Sequence, residues 1–367
     1  MTLDDLPTPC LVLDRGILQR NLDTMARALA RHNVPLRPHL KTAKSIDVAR
    51  MATAGQPGGI TVSTLAEAEY FVGYRYHDVL YAAGITPQKL DRVAALNGYG
   101  ANVIVITDDL DMAGIIALHN TPPRTLIEVD TGEHRGGISP DGPELLEIAR
   151  RLGPALAGVM THAGHSYAGR TVAEMVAMAE AERAGIMRAA ERLRAAGFAA
   201  PIVSMGSSPT ALHAAHLQGV TEVRAGVYMF GDLFQAEILT HALDDIAVTV
   251  LTSVIGRRPA EGKILVDAGG MALSKDRSTA DAPKDYGFGL ALDITGARSY
   301  GDAIVQRAYQ EHGVIACDPA HKIDLPIGGK LRIAPNHTCM TVAAHDRYHV
   351  VDGTDDVIAI WPRINGW

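Results

Sequence analysis

Cysteine is scarce and scattered. The chain of 367 residues holds three, Cys10, Cys317 and Cys339, odd in number and far apart, which excludes a disulfide framework as the basis of the fold. Basic clusters are missing as well. The 34 Lys and Arg are spread along the chain against 41 Asp and Glu, for a net charge of −7. Nucleic acid is therefore offered no electrostatic footprint, and no basic amphipathic helix suggests a membrane surface. No apolar run approaches the ~20 residues needed to span a bilayer. The opening residues, Met1-Thr2-Leu3-Asp4-Asp5, lack the basic and apolar regions of a signal peptide. These absences predict a cytoplasmic protein that engages neither nucleic acid nor membrane.

What is present suits a large folded chain. Hydrophobic residues make up 47%, and the 36 glycines and 19 prolines are dispersed rather than massed, which argues against disorder. Strand-like runs occur at 36–41, 59–64, 78–83, 102–107, 124–130, 156–162, 202–207 and 222–229. Helical patterns lie between them at 45–54, 65–74, 86–97, 141–151 and 171–196, the last alanine-rich and stopped by Gly197. Eight strands with helical crossovers predict a (β/α)8 TIM barrel. An open doubly wound sheet is the alternative, but no Gly-x-Gly-x-x-Gly follows the first strand. After about residue 240 the pattern becomes short strands at 246–255, 263–267, 302–309, 311–315, 330–333, 347–351 and 357–361. Turns rich in Gly, Pro and Asp separate them. The expected division is a barrel over 15–240 and a mainly antiparallel β domain from 241–367 joined by 1–14, since the strand at 9–14 has no place among the eight.

Barrel strands converge at their C-terminal ends, and that face carries the chemistry. The first strand delivers His39 and Lys41. The fifth delivers Asp130-Thr131-Gly132-Glu133-His134-Arg135, the sixth Thr161-His162-Ala163-Gly164-His165-Ser166-Tyr167. The seventh ends in Gly206-Ser207-Ser208-Pro209-Thr210, and the eighth carries Arg224-Ala225-Gly226-Val227-Tyr228. Small residues after the last two strands can turn backbone N–H groups toward a phosphate; two ordinary tight turns fit the same letters. A lysine, an arginine and a phosphate cradle on one face describe a pyridoxal phosphate site, with the lysine forming the Schiff base. A second motif, Pro335-Asn336-His337-Thr338-Cys339, places His337 and Cys339 two apart. In an extended strand both side chains point the same way, and imidazole with thiolate suits zinc. A buried cysteine beside a satisfied histidine is the alternative.

Together, Pro38-His39-Leu40-Lys41-Thr42, the 130–135 turn, the 161–167 segment, Gly206–Thr210, Glu311-His312-Gly313 and Pro335–Cys339 resemble the D-serine dehydratase and D-threonine aldolase group. These are fold-type III pyridoxal phosphate enzymes related to alanine racemase. The resemblance runs over nearly the whole chain in the same order. It implies that Lys41 carries pyridoxal 5'-phosphate, that Arg135 sits near its phenolic oxygen and Tyr167 near its pyridine nitrogen. It further implies that Gly206, Ser207, Gly226 and Val227 hold the phosphate, and that His337 and Cys339 bind Zn2+ or another divalent metal such as Mn2+. Ala43 departs from the histidine common in that group two residues after the lysine. A homodimer and a small D-amino acid substrate are implied as well.

Three reactions share these parts. A dehydratase and an aldolase both use a metal at the substrate β-hydroxyl. A racemase needs instead a second base, for which Tyr286 and Tyr309 are weak candidates. The expected function is elimination of water from a D-β-hydroxy amino acid, as in D-serine dehydratase. The alternatives are a D-threonine or 3-hydroxy-D-aspartate aldolase, a racemase, or a non-catalytic pyridoxal phosphate-binding protein. Arg37, Arg170, Lys275 and Arg277 are candidates for a substrate carboxylate.

Overall fold

A computed structural model describes residues 1–57 and 59–367. The chain divides into two compact units: Thr24–Gly226 with Ile364–Trp367, and Met1–Asp23 with Val227–Arg363. It opens with β1 (Cys10–Asp14) and α1 (Arg15–Ala30). The α1 helix starts where Asp14 Oδ1 accepts the Ile17 N–H at 2.9 Å, satisfying one of the orphan donors of a first turn. Its buried residues Leu18, Leu22, Met25 and Leu29 recur at helical spacing.

The first unit is the expected barrel. Its strands are β2 (Leu36–Pro38), β3 (Ile60–Val62), β4 (Asp78–Gly84), β5 (Asn102–Thr107), β6 (Thr125–Glu128), β7 (Leu156–Met160), β8 (Ile202–Met205) and β9 (Glu222–Ala225). All neighbours are parallel, in the order β2-β9-β8-β7-β6-β5-β4-β3. A single parallel bridge between His39 and Thr61 joins the two ends, reinforced by Leu40 N–H to Thr61 O at 2.9 Å. Buried strands need continuous apolar runs, and Val103–Ile106 of β5 are all buried. Leu80, Ile104, Ile106, Leu126, Ala157 and Met160 form one buried cluster of this unit.

Seven helices separate the barrel strands: α2 (Ile46–Thr53), α3 (Leu65–Gly73), α4 (Leu90–Gly98), α5 (Leu110–Leu118), α6 (Glu144–Leu152), α7 (Val172–Ala195) and α8 (Ser208–His213). The sequence pattern pointed to five of these and missed α5 and α8. Thr171 and Glu174 cap α7 reciprocally, at 3.2 and 3.0 Å, and Gly197 closes it at φ +86°, the left-handed conformation that suits glycine. Several strands stop earlier than expected. The first ends at Pro38 rather than Lys41, and the last at Ala225 rather than Met229. The chain leaves the ladder there to form the turns that carry the site.

The second unit is the β domain. It contains β1, β10 (Val248–Arg258), β11 (Lys263–Val266), β12 (Leu290–Leu292), β13 (Ile304–Ala308), β14 (Gly313–Ala316), β15 (Lys330–Ala334), β16 (Arg347–Val351) and β17 (Ala359–Pro362). The order is β11-β14-β13-β12-β15-β10-β1-β16-β17, and β10 also pairs with β11. Six strands thus close into a ring, helped by an irregular register between Val254 and Gly256 that lets one long strand serve two partners. All pairings are antiparallel except β1 with β16. The sequence pattern did not single out β12, which is three residues long. Among the described residues, no helix is long and apolar enough to cross a membrane.

Candidate active site

The turn after β2 holds Lys41 by its surroundings. His39 N–H bonds Ala225 O at 2.8 Å, and Lys44 N–H returns to Leu40 O at 2.8 Å. Lys44 takes a left-handed conformation, φ +47°, and its ammonium lies 3.2 Å from the buried carboxylate of Glu67. Lys41 itself is exposed, between buried Leu40 and Thr42. Ala43, where the resembling group has histidine, is fully buried.

The charge of Lys41 is felt by two histidines. Burial lowers the His39 ring well below its ordinary value, and Lys41, Arg224 and His162 push it further. His162 is lowered to about 3, by burial first and Lys41 next. Both rings are neutral at physiological pH. The His162 Nδ1 lies 3.0 Å from Gly206 O, so that nitrogen carries the proton and donates, leaving Nε2 as an acceptor. His39 Nε2 lies 3.4 Å from Ser63 Oγ, while its buried Nδ1 has no hydrogen-bond partner among the described residues.

The turns after β7 and β8 are tied together. Ser166 Oγ and Ser207 Oγ are 2.8 Å apart. Ser207 caps α8, its hydroxyl accepting the Thr210 N–H. Gly206 has φ +131°, and a Cβ there would lie 2.4 Å from Arg224 O. A Cβ on Gly226 would lie 2.8 Å from His39 O. Both positions therefore need glycine for close backbone approach. Val227 opens a 3-10 turn, Val227–Met229. Tyr167 lies in the 3-10 helix Gly164–Ala168, where its carbonyl accepts from Arg170 at 3.0 Å.

Arg135 is exposed, 3.9 Å from Glu128, whose carboxyl is raised by burial and by Asp108. Its turn is shaped by Asp130, which accepts from the N–H groups of Gly132 and His134 at 2.8 and 3.1 Å. Two further buried groups shape the site: Arg224, which the sequence reading placed on this face without a role, and Glu182, which it did not single out. The Arg224 guanidinium donates to Thr161 O and Ser204 Oγ. Glu182 of α7 accepts the Ala163 and Gly206 N–H groups, and burial pushes it up to about 7 against the pulls of Thr210, Gly206 and Arg224. A charged residue in the apolar stripe of α7 was the available signal for Glu182.

The β domain builds the second group. The expected extended geometry of His337 and Cys339 is not what the chain adopts: His337 is extended, but Thr338–Thr341 is a helical turn. Thr338 N–H and Oγ1 are drawn to Asp232 Oδ2 and Gly231 O at 2.9 and 2.6 Å, which bends the chain there. The two side chains are nevertheless hydrogen-bonded to each other. Asn336 fixes the segment through Gly287 O at 2.7 Å and the Thr279 hydroxyl at 2.8 Å. His337 Nδ1 lies 2.6 Å from Asp276 Oδ2, and Ser278 Oγ donates to the other Asp276 oxygen at 2.6 Å. Burial favours the neutral His337 ring, but Asp276, Cys339 and Asp232 outweigh it and raise its value to about 11. Asp276 is held down to about 2, chiefly by His337. A carboxylate on one imidazole nitrogen orients the other toward a metal.

The remaining candidates have other employment. Arg37 is buried and bonds Glu222 at 2.8 Å and Asp78 at 2.9 Å. Those are the first residues of β9 and β4, the opposite end of the barrel from its C-terminal mouth, so Arg37 is no substrate ligand. Arg170 donates to the carbonyls of Tyr167 and Gly169. Lys275 donates to Ala308 O and Arg277 pairs with Asp285, and both cations lie over the Phe288 ring. Tyr286 is buried, its phenol raised to about 12 by burial and Glu237, whereas Tyr309 is exposed.

The barrel-mouth residues fit pyridoxal phosphate: an amine, two glycine turns and a serine hydroxyl on adjoining strand ends, with neutral imidazoles beside them. His337 and Cys339 offer the nitrogen and sulfur donors that a divalent metal of zinc type takes, with Asp276 behind the imidazole, and among the described residues no third His, Cys, Asp or Glu completes a metal-holding group.

Comparison with known proteins identifies the family. Residues 13–233 match the alanine racemase N-terminal domain, and residues 247–351 match a serine dehydratase domain. The chain is 43% identical to D-threo-3-hydroxyaspartate dehydratase of Delftia sp. (strain HT23), over 100% of this chain and 99% of that one. The solved structure of that enzyme superposes with a TM-score of 0.96 at 42% identity, covering both chains fully. A cysteine-to-alanine variant of it has been solved in a metal-free form. D-serine dehydratase of Dictyostelium discoideum is 28% identical over 100% of this chain and 98% of its own. D-threonine aldolase from Filomicrobium marinum has a TM-score of 0.84 at 26% identity, covering 99% and 96%.

Proposed function

This chain belongs to the family that joins an alanine racemase N-terminal domain to a serine dehydratase domain, and from that premise we propose that it eliminates water from a D-β-hydroxy amino acid, D-threo-3-hydroxyaspartate foremost. It is a lyase of a pyridoxal phosphate-dependent family acting on D-β-hydroxy amino acids. The single observation that carries the dehydratase reading is the 43% identity to a dehydratase along the whole chain, against 30% for a D-threonine aldolase of Arthrobacter sp. The His337–Cys339 pair with Asp276 speaks against a racemase, which has no use for a metal, and is shared by the dehydratase and aldolase readings.

Lys41 holds the cofactor, and Gly206, Ser207, Gly226 and Val227 receive its phosphate. Pyridoxal phosphate, when bound, is the electron sink that makes the substrate α-proton removable. Lys41, as the free amine, takes that proton. His39 and His162 remain neutral, so they place no second positive charge beside the Lys41 ammonium, and His162 Nε2 presents an acceptor. Arg135 and Tyr167 orient the ring. His337 and Cys339 would hold a divalent metal such as zinc, which would supply Lewis-acid stabilisation of a departing hydroxide. The functional unit is a homodimer.

The experiment is incubation with D-serine, D-threonine and the stereoisomers of 3-hydroxyaspartate, assayed separately for keto acid with ammonia and for glycine with aldehyde. Keto acid and ammonia in equal amounts from D-threo-3-hydroxyaspartate are expected. Glycine and glyoxylate as main products would replace the dehydratase reading by the aldolase one.

A further inference from the structure

Helix α7 carries a buried stripe of Met175, Ala179, Ile186, Ala189 and Leu193. Glu182 falls in this stripe, where an apolar residue would pack, and is 0% exposed. A carboxylate is costly to bury unless its oxygens are matched by donors. Packing of α7 does not call for a charge at that place, since Gly185, one turn on, already brings the helix within 2.7 Å of the Thr131 methyl, measured from an ideal Cβ.

The donors that meet Glu182 are informative. One oxygen, Oε1, accepts backbone N–H groups from Ala163 at 3.1 Å and Gly206 at 2.9 Å. Ala163 follows His162 beyond β7, and Gly206 precedes Ser207 beyond β8, the adjoining strand. The Gly206 carbonyl in turn receives the His162 Nδ1 proton at 3.0 Å. Gly206 is thus held by both its polar groups at a φ of +131°. The carboxylate ties the two turns together, and the Gly206 carbonyl fixes the tautomer of the histidine between them.

We propose that Glu182 is a positioning residue that holds the Gly206–Ser207 turn and the His162 ring in register, so that the phosphate end of the cofactor is bound through its carboxylate. The inference rests on the barrel mouth being a pyridoxal phosphate site. It assigns to a helix residue outside the strand ends a share of the selectivity for the phosphorylated cofactor.

The test compares pyridoxal phosphate with pyridoxal, which lacks the phosphate, by equilibrium titration of cofactor-free protein. Glu182→Ala and Glu182→Gln are compared with the unmodified protein, each first shown to be folded by circular dichroism. The unmodified protein binds the phosphorylated form more tightly. In Glu182→Ala that preference falls about tenfold, the scale of one lost hydrogen bond to a charged group. In Glu182→Gln it falls about threefold, because the amide oxygen can still accept both N–H groups. If Glu182→Ala does not fold, Glu182→Gln decides. Equal losses for both ligands, or no loss, mean that Glu182 serves the fold alone and overturn the proposal. Failure of the unmodified protein to bind either ligand removes the cofactor reading and this inference with it.

Discussion

Replacing Gly206 by alanine perturbs the site at a single methyl group, and the cost can be worked from the structure. Gly206 has φ +131°, and an added Cβ would lie 2.4 Å from Arg224 O and 2.9 Å from Arg224 N. Both atoms belong to the β9 backbone, which cannot rotate away as a flexible side chain would. The backbone conformation alone costs about 1–3 kcal/mol for a residue with a side chain. Forcing apart a packed pair adds about 1–3 kcal/mol. The expected loss is therefore about 2–6 kcal/mol, a large share of the ~5–15 kcal/mol that stabilises a domain. Gly197→Ala is the matched control. Its φ is +86°, but its Cβ would meet nothing within 4 Å, so only the conformational cost of about 1–2 kcal/mol applies. Urea unfolding followed by circular dichroism measures both. Gly206→Ala should unfold at clearly lower urea than Gly197→Ala and should release pyridoxal phosphate more readily. Equal stability of the two variants, within about 1 kcal/mol, would refute the close-approach argument.

Arg37→Ala leaves Glu222 and Asp78 without their partner and should cost about 3–5 kcal/mol, with KM unchanged in whatever protein remains folded; a raised KM at normal stability would return Arg37 to the substrate. His162 has a folded value lowered to about 3 from 6.5, so it contributes stability above pH 6.5 that is lost as pH falls toward 3. The thermal midpoint of His162→Gln should consequently fall less than that of the unmodified protein over this window, and parallel curves would contradict the assignment. Asp276→Asn removes the carboxylate behind the His337 imidazole and should weaken metal affinity about 10–100-fold in a chelator competition, with the lysine-bound cofactor band unaffected.

The barrel was legible because its strands are short apolar runs at regular intervals, such as Val103–Ile106, and because α7 has both a capping box and a stop glycine. Lys41 was legible from its place after the first of those runs. Other parts were hidden for physical reasons. The α8 helix has six residues, too few to show a period, and β12 has three. The geometry of His337 and Cys339 was misread because Asp232, more than 100 residues away in sequence, bends the chain at Thr338. Arg37 looked available to a substrate because its partners Asp78 and Glu222 come from two distant strands. Asp276 carries no local motif, as it matters only through the imidazole that it touches. Glu182 did leave a trace, a lone carboxylate at a core position of an alanine-rich helix.

The proposed function has one chain join a lysine-held cofactor to a metal that elimination requires. Exhaustive chelation of the holoenzyme, with metal content verified by elemental analysis, tests it most directly. The account predicts that elimination from D-threo-3-hydroxyaspartate stops, that the visible absorbance of the Lys41-bound cofactor persists, and that added zinc restores turnover. Undiminished formation of keto acid and ammonia by protein shown to be metal-free would contradict it.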